Sequence, residues 1–360
     1  MTMCVRTALG GTLALAIATA SPVAAQAATK TVDLGPPRAS QRAIQRTGSD
    51  VNDFFPHRVT IHVGDTVRFR PANFHTVDLP GRRTRKLPII TPTGQPIAGS
   101  TDAAGAPFWF NGQPSLGFNP VLLRSAFGKR RSYNGRTVVD SGLPIARNPQ
   151  PMSVRFTRAG TFRYFCDVHF GMTGIVRVVS ARRRIPSAAA DRATVRRQVA
   201  TTLRTARALP TGDTPPANTI DVGRQGAGGV TLFAFLPSTL TVPHGTTVTF
   251  RMNARSEVHT ATTGPGDPLN QPTSYLGAIA SSLNQPVFDP KAVFPSDPPG
   301  APAALTPTFH GNGFWSSGAL DLDPSTPTVP TGNSVTFAAP GTYQVFCMIH
   351  PFMHATVTVT

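Results

Sequence analysis

Two stretches of the chain carry the same alternation of apolar and polar positions. Residues 56–69 read PHRVTIHVGDTVRF and residues 237–250 read PSTLTVPHGTTVTF. Aligned without gaps, the proline, the alternating apolar positions, the glycine, a threonine and the final phenylalanine coincide. Val59, Ile61 and Val63 alternate before Gly64, and Val67 and Phe69 follow, which predicts a strand, a tight turn and a second strand. The repeat returns downstream, where SVRFTRAGTFRYFC (153–166) matches SVTFAAPGTYQVFC (334–347). GIVRVV (174–179) and ATVTVT (355–360) are closing strands by their β-branched alternation. Even the starts agree, TVDLG (31–35) facing TIDVG (219–223). The chain holds two copies of one β domain, expected over 28–180 and 216–360.

Between them, within a basic linker at 181–215, the periodicity changes. From Pro186 to Pro210, Val195, Val199, Leu203 and Ala206 fall on one helical face, Ser187 can cap the start, and prolines bound both ends. The expectation is a linker helix packed on one domain through that narrow stripe; so thin a stripe also suits a flexible linker. Each copy contains a long segment expected to be irregular, roughly 80–132 and 263–308, rich in Pro, Gly and Ser. Such segments often cover a site or an interface. The aromatics of PFWF (107–110) and FHGNGFW (309–315) are expected to pack them down.

Composition agrees with this plan. A length of 360 residues favours two domains, and 36 prolines, 32 glycines and only 14% charged residues suit turn-rich all-β architecture better than helical bundles. Residues 1–27 read as an export signal: Arg6, a short apolar core from Ala8 to Ala20, then small residues offering cleavage after Ala25 or Ala27. That apolar run is shorter than the ~20 residues that span a bilayer, and no later segment replaces it, so a secreted or periplasmic chain without a transmembrane segment in its mature form is expected.

The net charge of +17 is uneven. From Ala217 onward the balance is near −3, whereas eight arginines fall between Arg182 and Arg207, with further basic runs at 81–86 and 128–131. The field suits an acidic partner at the first domain or an anionic surface. No nucleic-acid module accompanies it, and nucleic acid is not an expected partner.

Of three cysteines, Cys4 falls within the signal. Cys166 and Cys347 stand in FCDVHFGM (165–172) and FCMIHPFM (346–353), each with a histidine three residues later and a methionine three after that. A disulfide between them is open to an exported chain, but it would use up both clusters. Another histidine precedes each cluster, His75 in NFHTVD and His259 in SEVHTATT, both followed by threonine and lying 91 and 88 residues before the cysteine. Each domain therefore offers His, Cys, His and Met at matching positions. A thiolate and two imidazoles with a weak axial thioether make a blue-copper electron-transfer site. Zinc also takes Cys and His, but a thioether is a poor fourth ligand for it.

Both halves resemble cupredoxins, the plastocyanin and amicyanin family of type 1 copper proteins. The resemblance rests on the Cys-His-Met loop spacing, which is like the short amicyanin loop, on the upstream GTFRYFC and GTYQVFC, and on Ser141-Gly142 and Ser317-Gly318. It covers most of both domains but not the signal, the linker or the long insertions. It implies two tandem cupredoxin-like Greek-key β-sandwiches joined by a short helical linker. It also implies one copper per domain, held by His75, Cys166, His169 and Met172 in the first and by His259, Cys347, His350 and Met353 in the second. By the same analogy His169 and His350 are the exposed edges through which electrons pass to redox partner proteins.

Copper oxidases of this fold typically show His-X-His pairs and a His-Cys-His triplet. Neither occurs here, and His57, His62, His244, His310 and His354 are scattered. The expected function is electron transfer without catalysis. A copper oxidoreductase of the multicopper oxidase or nitrite reductase type, or a copper sequestration protein, is the alternative.

Overall fold

In the strand Thr66–Pro71, Val67 and Phe69 turn inward while their neighbours face out, and Thr246–Met252 repeats this with Val248, Phe250 and Met252. The computed structural model describes residues 27–82, 86–324 and 329–360. The export signal expected over 1–27 lies outside the described residues, apart from Ala27. Among the described residues no helix is long and apolar enough to cross a membrane.

The alternating strands build two sandwiches of the same plan. In the first, one sheet runs Phe54–Phe55, Thr29–Leu34, Thr66–Pro71, Met152–Phe156, Arg130–Tyr133. The facing sheet runs Arg58–His62, Thr173–Val179, Gly160–Phe165, Asp78–Leu79, Val139–Asp140. The second copy repeats both orders. Val230–Leu236, Thr219–Gln225, Thr246–Met252, Gly332–Phe337 and Ala303–Leu305 form one sheet. Thr239–Val242, His354–Val359, Gly341–Phe346, Thr262–Thr263 and Trp315–Ser316 form the other. Each copy mixes parallel pairs, such as Arg58–His62 on Thr173–Val179, with antiparallel hairpins, such as Gly160–Phe165 on the same strand. Connections that cross from sheet to sheet in this way define a sandwich rather than a meander. The fold is all-β, two tandem sandwiches with one helical connection.

Between the sheets lie two separate apolar cores. The first gathers Val32, Leu34, Val67, Phe69, Val154 and Val176 around Tyr164, whose ring meets Phe54 and Phe69 edge to face at 4.7 and 5.2 Å. The second gathers Val222, Phe235, Phe250, Val335, Phe337 and Val357 around Trp315. Cys166 with Met172, and Cys347 with Met353, close one end of their respective cores. One position departs from the alternation. Val63 is 43% exposed, because the strand ends at His62 and Val63 already belongs to the turn that Gly64 makes with φ +93°.

Among the described residues the copies are tied together in at least three places. Ser49–Val51, which precedes Phe54–Phe55 in the first copy, pairs antiparallel with Val230–Leu232 and so forms the edge strand of the second copy's sheet. The linker helix forms over Ala188–Ala208, and Ser187 Oγ accepts the Ala190 N–H at its start. Its stripe of Val195, Val199, Leu203 and Ala206 was expected to pack on one domain, and it packs on both. The stripe meets Ile44, Val51 and Phe55 from the first and Val230 from the second, because the exchanged strand brings the two to one place.

The third tie is made by the insertions. The hairpin Ile90–Pro96 with Pro114–Phe118 carries Ile97, Phe108 and Phe110 onto Leu276, Ile279, Ala292 and Phe314 of the second copy. Phe346 and Met348, the neighbours of Cys347, belong to this same cluster. Trp109 Nε1 donates to Pro295 O at 2.9 Å, and Gly117 bridges to Val287.

Candidate metal centres

The residue pair that opens each site is a histidine followed by a threonine, on the segment leading into a short strand of the second sheet. His75 precedes Asp78–Leu79, and His259 closes Val258–His259, just before Thr262–Thr263. Behind each ring the first strand of the domain passes closely. A Cβ on Gly35 would stand 3.1 Å from His75 Nε2, and one on Gly223 2.8 Å from His259 Nε2. The glycines ending TVDLG and TIDVG therefore leave the space that the imidazoles occupy. Both Nε2 atoms are buried without a hydrogen-bond partner, and the rings present Nδ1 inward.

The cysteine, second histidine and methionine come from the hairpin loop that follows Gly160–Phe165 or Gly341–Phe346. The loops have the same backbone bonds. Cys166 N donates to Met172 O and Cys347 N to Met353 O, both at 3.0 Å, while Met172 N and Met353 N donate to His169 O and His350 O. These closures fix the spacing of the three side chains.

In the first domain His75 Nδ1 lies 2.9 Å from His169 Nδ1, and Cys166 Sγ lies 3.6 Å from His169 Nδ1. In the second, His259 Nδ1 and His350 Nδ1 are 3.1 Å apart and lie 3.7 and 3.8 Å from Cys347 Sγ. The three donor atoms of each set lie within 4.8 Å of one another. Met172 and Met353 are buried beside their cysteines. Both expected sets, four residues each, thus sit at equivalent ends of the two sandwiches.

Burial sets the electrostatics. It lowers His75 to about 3 and His350 to about 4. Burial first, and neighbouring imidazoles second, hold His169 and His259 well below the ordinary histidine value. The rings are therefore neutral, with lone pairs to offer. Burial likewise pushes the Cys166 thiol up to about 11 and raises Cys347. A thiolate here needs a positive charge at the same place. Neutral imidazoles and a thiol that ionises only against a cation, converging in a dry pocket, fit a soft transition metal.

The supporting contacts are also duplicated. Thr76 N points at Cys166 Sγ at 3.4 Å and Thr260 N at Cys347 Sγ at 3.3 Å. Their hydroxyl oxygens accept from Asp167 N at 2.7 Å and Met348 N at 2.8 Å. Ser141 Oγ and Ser317 Oγ accept from Val77 N and Ala261 N, two residues past each first histidine. The threonines were visible in the sequence as a repeated His-Thr pair, and the serines as a repeated Ser-Gly step. Glu257, which approaches His169, and Phe233, which stacks on His350, gave no such signal.

The two sites differ in exposure. Both second histidines were expected at the surface, but His169 is only 8% exposed, because the second domain covers it: its Nε2 lies 3.6 Å from Glu257 Oε1. His350 stacks on Phe233 at 4.6 Å and stays partly exposed beside Phe352, which is 51% exposed. The cysteine neighbours differ too. Asp167, Asp78 and Asp140 bring carboxylate oxygens together beside the first site, whereas Phe346 and Met348 flank the second with apolar surface.

Fold and sites together define a tandem β-sandwich protein with a duplicated buried Cys-His-His cluster. No family model matches the chain, and no curated protein does. Solved structures to which it is similar are cupredoxins. A purple cupredoxin from Nitrosopumilus maritimus is 18% identical, with 41% of this chain and 100% of that chain covered and a TM-score of 0.20. Auracyanin A, a "blue" copper protein from Chloroflexus aurantiacus, is 20% identical, with 39% and 96% covered and a TM-score of 0.24. Oxidised plastocyanin from Dryopteris crassirhizoma is 21% identical, with 39% and 99% covered and a TM-score of 0.20.

Proposed function

We propose that the chain is an exported, cupredoxin-like copper protein that carries electrons through two type 1 sites, one in each domain. The observation that carries this reading is the doubled convergence of two neutral imidazole Nδ1 atoms and one thiol, each with a buried methionine in the same loop. His75, Cys166, His169 and Met172 would hold one copper, and His259, Cys347, His350 and Met353 the other. Copper bound there supplies a reversible one-electron change. The protein's part is to keep the donors fixed, dry and nearly unaltered between oxidation states, which the paired strands and loop closures favour.

Electron transfer is favoured over oxidase or reductase chemistry by where three of the five other histidines are engaged. His57 pairs with Asp53, His62 with Arg183 O, and His310 with Asp102 and Asp297, away from either cluster. The basic first domain and linker suit an acidic partner protein, whereas His350 with Phe352, on the mildly acidic second domain, is the cluster edge open to a redox partner.

The test is copper analysis with optical and paramagnetic spectra of the wild type and of Cys166→Ser and Cys347→Ser. The expected result is two coppers with intense blue Cu(II) absorption, falling to one in either variant. An unchanged copper count in the variants refutes the assignment. Cu(I) that resists oxidation points to sequestration, and oxygen or nitrite reduction by the purified protein points to an enzyme.

A further inference from the structure

His169 presents Nδ1 to Cys166 and His75, so its other nitrogen faces away from the cluster, and what it faces is the second domain. Glu257 Oε1 stands 3.6 Å from His169 Nε2. The Glu257 carboxyl group is buried and held in place, since Asn52 Nδ2 donates to Glu257 Oε1 at 2.7 Å and to Ser256 Oγ at 3.1 Å. Asn52 is itself anchored by its N–H to Gly229 O at 2.8 Å, at the end of the exchanged strand. Glu257 lies two residues before His259, whose Nδ1 belongs to the second cluster.

The matching position in the first domain behaves differently. Two residues before His75 stands Asn73, and its amide donates to both oxygens of Asp50 rather than to any histidine. This close approach of a buried acidic side chain to a cluster histidine is therefore a one-way feature of the domain junction, outside the repeat. Next to His169 in the loop, Phe170 has Lys86 Nζ and, from the second domain, Arg255 Cζ over its ring at 5.7 and 5.9 Å.

We propose that His169, Glu257, Val258 and His259 form an internal electron conduit between the two clusters, a proposal that rests on both clusters holding copper. Glu257 is the positioning residue that fixes the His169 ring and carries the path into the second domain's backbone. With copper held in both clusters, one electron would pass from Cu(I) in one to Cu(II) in the other, no covalent bond would form or break, and His169 would keep its Nε2 proton while Nδ1 faces the metal. External partners exchange electrons at His350 and Phe352, and the covered first cluster communicates from within.

The test uses the full copper-loaded chain, fully reduced and mixed rapidly with less than one equivalent of hexacyanoferrate(III), a one-electron oxidant. Spectra of the Cys166→Ser and Cys347→Ser variants identify each centre. The expected course is oxidation of the second centre, then decay of its absorption as that of the first rises, at a rate independent of protein concentration. Glu257→Ala is expected to slow this second phase roughly 10- to 100-fold, and Glu257→Gln, which keeps the side chain's packing against His169 and an oxygen for the Asn52 contact, to restore it. In the metal-free chain the His169 ring-nitrogen magnetic resonances are expected to move in Glu257→Ala and return in Glu257→Gln. A second phase that scales with protein concentration overturns the conduit, and that measurement needs no variant. A phase unchanged by Glu257→Ala overturns it too, and in both cases two coppers per chain leave the copper reading standing. A chain that binds no copper removes both.

Discussion

Gly223 stands where any side chain would meet the ring of His259: a Cβ there comes 2.8 Å from Nε2, with the backbone at φ +74°. Gly35 bears the same relation to His75 at 3.1 Å, with φ +95°. The first strand of each sandwich thus sets the depth at which the first histidine sits, although it contributes no donor atom. Gly223→Ala combines a left-handed backbone penalty of roughly 1–2 kcal/mol with displacement of the ring. It is expected to weaken copper binding in the second domain alone, and Gly35→Ala to do the same, less severely, in the first. Copper counts by domain, read from the two optical signatures, check the selectivity.

Thr76 and Thr260 hold the residue after each cysteine through a hydroxyl that accepts a buried backbone N–H. Thr260→Val keeps the shape and leaves Met348 N–H without its acceptor, at an expected cost of about 1–3 kcal/mol. Thr76→Val does the same to Asp167 N–H. Urea unfolding of the metal-free chain measures the loss, and both variants should show it if the two loops are built alike.

Asp167 places a carboxylate beside Cys166, with oxygens of Asp78 and Asp140 within 4.8 Å, while Met348 occupies the corresponding place beside Cys347. Negative charge favours the more positive oxidation state, so the first centre should have the lower potential. Asp167→Asn should raise it by tens of millivolts and leave the second unchanged. Spectroelectrochemical titration of the single-site variants gives both values; equal potentials in the wild type would count against this account.

His310 clasps the two insertions, with Nδ1 2.9 Å from Asp102 Oδ2 and Nε2 3.4 Å from Asp297 Oδ1. Burial pulls its pKa down, but the hydrogen bonds and charges of Asp297 and Asp102 outweigh burial and leave it raised. The folded chain thus holds this proton more tightly than the unfolded one. The clasp contributes fully below the unfolded imidazole value of roughly 6.5, and that contribution is lost as pH rises through the higher folded value. His310→Asn, which tolerates the positive φ of 50°, should flatten that part of the pH profile. Denaturation midpoints at pH 5.5 and 8 for both proteins provide the comparison.

The repeat, the loop spacing and the two histidine-threonine pairs were legible because they recur within one chain, so a motif weak in one copy is checked by the other. The helix over Ala188–Ala208 was legible from Ser187 and its stripe. Its second contact was not, since a stripe says that something is covered and not by what. Ser49–Val51 is three residues long, too short to show alternation, and its partner lies in the other domain. Glu257 sits in the polar segment SEVH, where nothing marks it as buried. The covering of His169 follows from how the domains meet, and a resemblance to single domains carries no information on that. What recurs between the copies could be read; what joins them could not.

The edge strand Ser49–Val51 also bears on how the chain can be divided. Freed of it, a fragment beginning at the second domain would expose the unpaired edge of Val230–Leu236, a template for other strands. The first half, conversely, would carry a short strand with no sheet to complete. Cleaving the linker helix should therefore leave the halves clasped, whereas producing them apart should yield sticky, incomplete pieces or molecules that trade this strand between neighbours. A chain assembled from two like halves has in this respect become indivisible.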